Sequence, residues 1–141
     1  MQLIILPLVS ALIAQIIKFI ISPSRKFNWN SLTSYGGMPS GHTAIVISLA
    51  TIIVLKYGWT SPLFAFSAIF AFIVIRDAIG LRQYLGRHGK VINALVKDLK
   101  DDDMLDEKYP HLLEKIGHTP VQVLIGGIIG VAVSAIGYWF F

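Results

Sequence analysis

Gly36-Gly37-Met38-Pro39-Ser40-Gly41-His42-Thr43 leads directly into an apolar run that continues from Ala44 to Tyr57. The tripeptide Gly-His-Thr returns at Gly117-His118-Thr119, at the entrance to a second long apolar run that continues to Phe141. Two of the chain's four histidines therefore stand in matching positions. Glycines allow a backbone to approach a ligand closely. Proline and serine suit the first turn and the cap of a helix. The free N–H groups at such an end attract an anion, as does the positive end of the helix dipole. Capping accounts for Pro39 and Ser40 but not for the Gly-Gly lead-in or His42. In the second copy Thr119 suits the cap and Pro120 the first helical position. Gln122 then lies within reach of a side chain at the helix start. Two imidazoles among lysines and arginines suit chemistry on a phosphate, one attacking phosphorus and the other protonating the leaving oxygen.

Of the 141 residues, 55% are hydrophobic and 14% charged, with a mean hydropathy of +0.68. That balance excludes an ordinary soluble domain and fits an integral membrane protein built as one unit over residues 1–141. The absence of cysteine excludes disulfides and thiolate chemistry. The net charge of +4 sits in segments flanking the apolar runs. No nucleic-acid-binding motif accompanies it, so nucleic acid is not an expected partner.

Four apolar stretches read as spans: Met1–Ile21, His42–Tyr57, Ser61–Ile79 and Thr119–Phe141. The first lacks the basic start and the cleavage site of a signal peptide. The first and last reach the roughly 20 residues a spanning helix needs, and the middle two are short. Ala78–Lys100 reads as an amphipathic helix at the interface, with Leu81, Leu85, His88, Ile92, Leu95 and Leu99 on its apolar stripe. His88 there reads as a packing residue, and His111 is given no role. The acidic run Asp101-Asp102-Asp103 with Asp106 and Glu107 lacks metal-ligand spacing and reads as a solvated loop. The expected fold is all-α: an integral membrane bundle of four transmembrane helices plus an amphipathic interfacial helix. Eleven of the twelve lysines and arginines lie in or beside the two long loops, Lys56 being the exception. Basic loops stay cytoplasmic, which puts both Gly-His-Thr copies on the cytoplasmic face of the cell inner membrane. Gly126, Gly127 and Gly130 permit close helix contact, within one chain or between copies in a homo-oligomer. Spans without polar residues at mid-membrane argue against a transporter.

Pro39-Ser40-Gly41-His42 resembles the central motif of the lipid phosphate phosphatases of the type-two phosphatidic acid phosphatase superfamily. Lys18 and Arg25 have the spacing of that family's first motif, with Lys26 in place of its proline. His118 stands as the histidine of the third motif, where Gln122 replaces the aspartate and Leu112 the arginine. From end to end the chain looks like a divergent branch of the superfamily, related to acid phosphatases and vanadium-dependent haloperoxidases. The Gly-Gly-Met-Pro-Ser lead-in, the segment from Asp77 to Arg82 and the Gly-His-Thr-Pro segment carry that resemblance.

The resemblance implies a reaction with no metal and no cofactor. His118 is the implied nucleophile, forming a phosphohistidine, and His42 the implied acid. Lys18, Arg25, Ser40 and the Gly41 N–H are implied phosphate ligands. Arg82, then Arg76, are the candidates to replace the missing arginine, with Lys115 as a further one. Gln122 is the candidate to orient the nucleophile, and Asp77 to supply the missing carboxylate. The expected substrate is a phosphomonoester or diphosphate of a lipid, drawn from the membrane lipids around the site. Phosphatidylglycerol phosphate, phosphatidic acid and polyprenyl diphosphate all fit. The competing expectation is a non-catalytic membrane protein that retains the phosphate pocket.

Overall fold

The computed structural model describes residues 1–21, 37–98, 111–114 and 116–140. Among them the chain is all-helical. It forms α1 (Gln2–Ile21), α2 (Gly41–Tyr57), α3 (Pro62–Arg76), a π-helical turn (Asp77–Leu81), α4 (Arg82–Asp98) and α5 (Pro120–Phe140). Two of the helices are long and apolar enough by themselves to cross a bilayer. So is the continuous rod from Pro62 to Lys97. The shorter α2, of 17 residues, sits at the lower end of the spanning range. Residues 22–36 and 99–110 lie outside the described residues, and with them Arg25 and the acidic run. Lys115 does too.

Central α2 packs against α1, α3 and α5, while α3 and α5 flank it with almost no direct contact between them. The inside of the bundle is small and polar: Ser10, Ala14, Ala44, Ser48, Ile52 and Ser134 have no exposed surface. The outside carries the large apolar side chains, with Phe66 72%, Ile69 63% and Phe72 64% exposed. A water-soluble bundle would invert this arrangement, because exposed hydrocarbon is unfavourable in water but not in lipid.

The glycines of the last helix explain how α2 and α5 approach. Gly126 lies against the Ser40 carbonyl, and a Cβ on Gly130 would stand 2.6 Å from Ala44 O. Ser134 follows in the same stripe, its Oγ donating to Ser48 O at 2.9 Å and pairing with Ser48 Oγ at 2.7 Å. Ser40, Ala44 and Ser48 thus meet Gly126, Gly130 and Ser134 in equal steps, which makes α2 and α5 parallel. Gly137 continues the stripe onto Leu6 of the antiparallel α1. The close glycine contact is made within the chain. The expectation of apolar mid-depth needs correction here. Ser10, Ser48 and Ser134 are buried inside the bundle, each with a hydrogen-bonded hydroxyl; Ser10 Oγ donates to Pro7 O at 2.7 Å and Ala44 O at 3.0 Å.

The third span and the amphipathic helix run on as one rod, since no proline interrupts residues 63–98. A π turn joins them. Arg82 N–H donates to Asp77 O, skipping Ala78 O, and both flanking residues keep helical dihedrals. The α4 arm then carries residues 111–114 across its face. Gly86 lies against Glu114 O, a Cβ on Gly89 would be 2.8 Å from Leu113 O, and Asn93 grips Leu112. That grip is two-handed: Asn93 Oδ1 accepts from Leu112 N and Nδ2 donates to Leu112 O, both at 2.9 Å.

Candidate active site

All four segments that reach one end of the bundle contribute to a polar mouth. Lys18 comes from the last turn of α1, His42 from the first turn of α2, Asp77 and Arg82 from the ends of the π turn, and His118 from the residue pair before α5. The positive charges of Arg82 and Lys18 and the negative charge of Asp77 all act on the His42 imidazole. His118 feels His42, Lys18 and Arg82 in the same way. The two histidines therefore share one electrostatic site, as their matched helix positions suggest.

The sequence before α2 shapes its side of the mouth. Gly37 adopts φ +94°, and its missing Cβ leaves room for the Lys18 stem, whose Cε lies 2.9 Å from where that Cβ would be. Ser40 caps α2, its Oγ accepting from Thr43 N at 3.4 Å and from Thr43 Oγ1 at 3.0 Å. Ser40 is fully enclosed, and its own N–H donates to Gln122 O at 3.1 Å. The serine thereby fastens the two helix starts to each other. The N–H groups of Gly41 and His42, in the first turn of α2, have no intrahelical partner. His42 itself is exposed.

His118 is held by its backbone. Its N–H donates to Ala78 O at 3.0 Å, the carbonyl that Arg82 N–H skips in the π turn. Its carbonyl accepts from Gln83 Nε2 at 2.7 Å. Gly117 makes this seat possible, with φ +99° and no Cβ to strike Gln83 N at 2.9 Å. His118 is 6% exposed, and its buried Nδ1 meets no hydrogen-bond partner. Burial drives its pKa down to about 4, and the charges of His42, Lys18 and Arg82 push the same way. The ring is therefore neutral near pH 7.

The two residues expected to serve that ring are engaged elsewhere. Gln122 Oε1 accepts from Thr119 N at 2.9 Å, while Gln122 N donates to Thr119 Oγ1 at 3.4 Å. This reciprocal pair is a capping box, so Gln122 secures the start of α5 and leaves Nδ1 of His118 unpartnered. Asp77 Oδ2 accepts from Arg82 Nε at 2.6 Å, so its carboxylate holds the guanidinium and makes no bond to His118. Of the two candidate arginines, Arg82 reaches the histidines' field, whereas Arg76 is exposed on α3 and is not among the charges that act on either ring. His88 is exposed on α4, and His111 stands 3.8 Å from Glu114 Oε1, away from the mouth. Among the described residues, no three or more His, Cys, Asp or Glu side chains converge as a metal site would require.

Sequence reading missed Gln83 and Ala78, which seat His118, and the Gly86/Gly89/Asn93 stripe, which holds the segment before it. Side-chain contacts to a backbone carbonyl leave no spacing signature, and a π turn has none either. The stripe alone has a legible sign, because glycines at helical spacing in a polar helix invite close backbone approach.

A family model described as "Divergent PAP2 family" matches residues 1–133. The chain belongs to the divergent PAP2 family. It is also 41% identical over 152 aligned residues to the uncharacterized membrane protein YuiD of Bacillus subtilis (strain 168), covering 96% of this chain and 95% of that one. No solved structure matches the chain. Membership in the divergent PAP2 family agrees with the motif at Pro39–His42 and with the membrane character of the bundle.

Proposed function

We propose that this divergent PAP2 protein is a membrane-embedded phosphatase that hydrolyses a phosphomonoester or diphosphate of a lipid through a phosphohistidine. The observation that carries the reading is the placement of His42 and a buried, neutral His118 in one mouth with Lys18 and Arg82. In the first step Nε2 of His118 forms a bond to phosphorus while the bond from phosphorus to the lipid oxygen breaks. Protonated His42 gives its proton to that leaving oxygen. In the second step His42 takes a proton from water, the hydroxide oxygen bonds to phosphorus, and the P–N bond breaks to restore His118. Lys18, Arg82 and the free N–H groups of Gly41 and His42 hold the three non-bridging oxygens, on which the transition-state charge is spread. Asp77 keeps the guanidinium of Arg82 aimed.

The mouth belongs on the cytoplasmic face, since it shares its side with the two loops that hold most of the basic residues. There, anionic head groups are drawn to it, which supports a lipid such as phosphatidylglycerol phosphate over a carrier recycled outside. One observation supports a second reading, a pocket that binds phosphate without cleaving it: the orphaned Nδ1 has no acceptor to stabilise the cation formed on phosphorylation. Purified protein and a panel of lipid phosphates separate the two. The enzyme releases phosphate in EDTA, is inhibited by vanadate, and carries a labelled phosphoryl group on His118 that His118→Ala abolishes. Tight binding of the panel with no label and no release selects the pocket.

A further inference from the structure

Beside α2, an apolar groove of about 520 Å³ runs between α3 and α5, walled by Thr43, Ile47, Ile75, Val123, Gly127 and Ala132. It is open to the side, for Leu124, Ile128 and Val131 along it are 64%, 59% and 46% exposed. Gly127 keeps its floor clear, with the nearest atoms 3.8 Å and 3.9 Å from where a Cβ would be. Its upper end adjoins the mouth, since Thr43 follows His42 and Val123 follows the Gln122 cap. From Val123 to Ala132 the helix rises about 13 Å. That is close to half of the roughly 30 Å hydrocarbon core, the depth of one leaflet.

The occupant must combine two chemistries. An anionic group suits the Lys18 and Arg82 end, and a hydrocarbon suits the walls below. We propose that the groove between α3 and α5 takes one hydrocarbon chain of a membrane lipid whose phosphorylated head lies among Lys18, His42, Arg82 and His118. This assignment rests on reading the mouth as a phosphate site. It adds the portal by which the substrate arrives, sideways from one leaflet, and limits recognition to a single chain about as long as the groove. A second chain, where the lipid has one, stays in the bilayer.

The test uses the full-length protein in phosphatidylcholine vesicles doped with a lipid phosphate bearing a diazirine halfway along its chain. Irradiation is expected to label Ile75, Ile128 and Val131 and to spare Leu8 and Leu12 on the outer face of α1. Label spread evenly over both faces overturns the proposal. Ala132→Trp blocks the lower end and should cut labelling of Ile128 about tenfold, the equivalent of two buried methylenes. Unlabelled lipid phosphates of graded chain length provide a measurement that needs no variant. Their competition should strengthen with length and level off near the depth of the groove; a flat dependence overturns the assignment. None of these readouts requires turnover. Groove labelling without phosphate release sinks the catalytic reading alone, and release without groove labelling sinks the groove alone.

Discussion

Gly130→Ala adds one methyl group at a point of close backbone contact between α2 and α5. Its carbon would stand 2.6 Å from Ala44 O and 2.9 Å from Ser48 N, both backbone atoms of the central helix. Ordinary contact begins near 3.4 Å, so α5 must retreat by about 0.8 Å at that turn. The same retreat stretches the Ser48–Ser134 hydroxyl pair from 2.7 Å to about 3.5 Å, the edge of hydrogen bonding. Overpacking of this kind costs about 1–3 kcal/mol. An interhelical hydrogen bond within a membrane protein contributes about 0.6 kcal/mol and at most about 1.7. The expected loss is therefore about 2–4 kcal/mol. Gly127→Ala, three positions earlier, is the control: its methyl meets nothing closer than 3.8 Å and should leave stability unchanged or raise it by up to about 1 kcal/mol through helix propensity. Equilibrium unfolding of both variants in mixed detergent micelles measures the contrast. If the two agree within about 0.5 kcal/mol, the close parallel packing of α2 on α5 is not what holds the bundle together.

Three further outcomes follow from the mouth. Because the His118 pKa falls from 6.5 to about 4 on folding, the unfolded chain binds the proton first as pH drops; its contribution to stability is full above pH 6.5 and lost as pH falls towards 4, a slope that His118→Asn should flatten in pH-resolved unfolding. Gln122→Ala breaks the capping box and should cost about 0.5–2 kcal/mol of stability, whereas Gln122→Glu should keep it; equal loss in both variants would remove the cap from the account. Asp77→Asn frees Arg82 and should lower the rate of phosphate release by about ten- to a hundredfold; a loss nearer 10⁴-fold in single-turnover assays would show that Asp77 meets His118 during the reaction.

The parts of this molecule written in local pattern were legible in the sequence. Apolar runs of spanning length, the Ser40 and Thr119 caps and the shared face of His42 and His118 all follow from residue type and spacing. The structure confirms the helices and gathers both rings into one field. What escaped depended on contacts distant in sequence. Whether the glycines of α5 face a neighbour in the same chain is decided by the opposing Ser40, Ala44 and Ser48. Serine both caps a helix and donates to an anion, and that Ser40 caps and also ties α2 to Gln122 depends on a partner 82 positions away. Gln122 was legible as a polar residue one turn beyond His118, yet it is bonded to Thr119. The π turn was invisible because one residue of extra winding changes no composition.

That winding makes the count of residues between Asp77 and Leu81 matter as much as their identity. Each residue of an α-helix turns the chain by about 100°. Removing one residue here would swing the α4 arm about a quarter of a circle and carry Gly86, Gly89 and Asn93 away from the segment 111–114 that they hold. The mouth would lose its seat for His118 though every charged side chain in it was intact. Variation in length within these five positions is a more sensitive sign of lost chemistry than any exchange of letters.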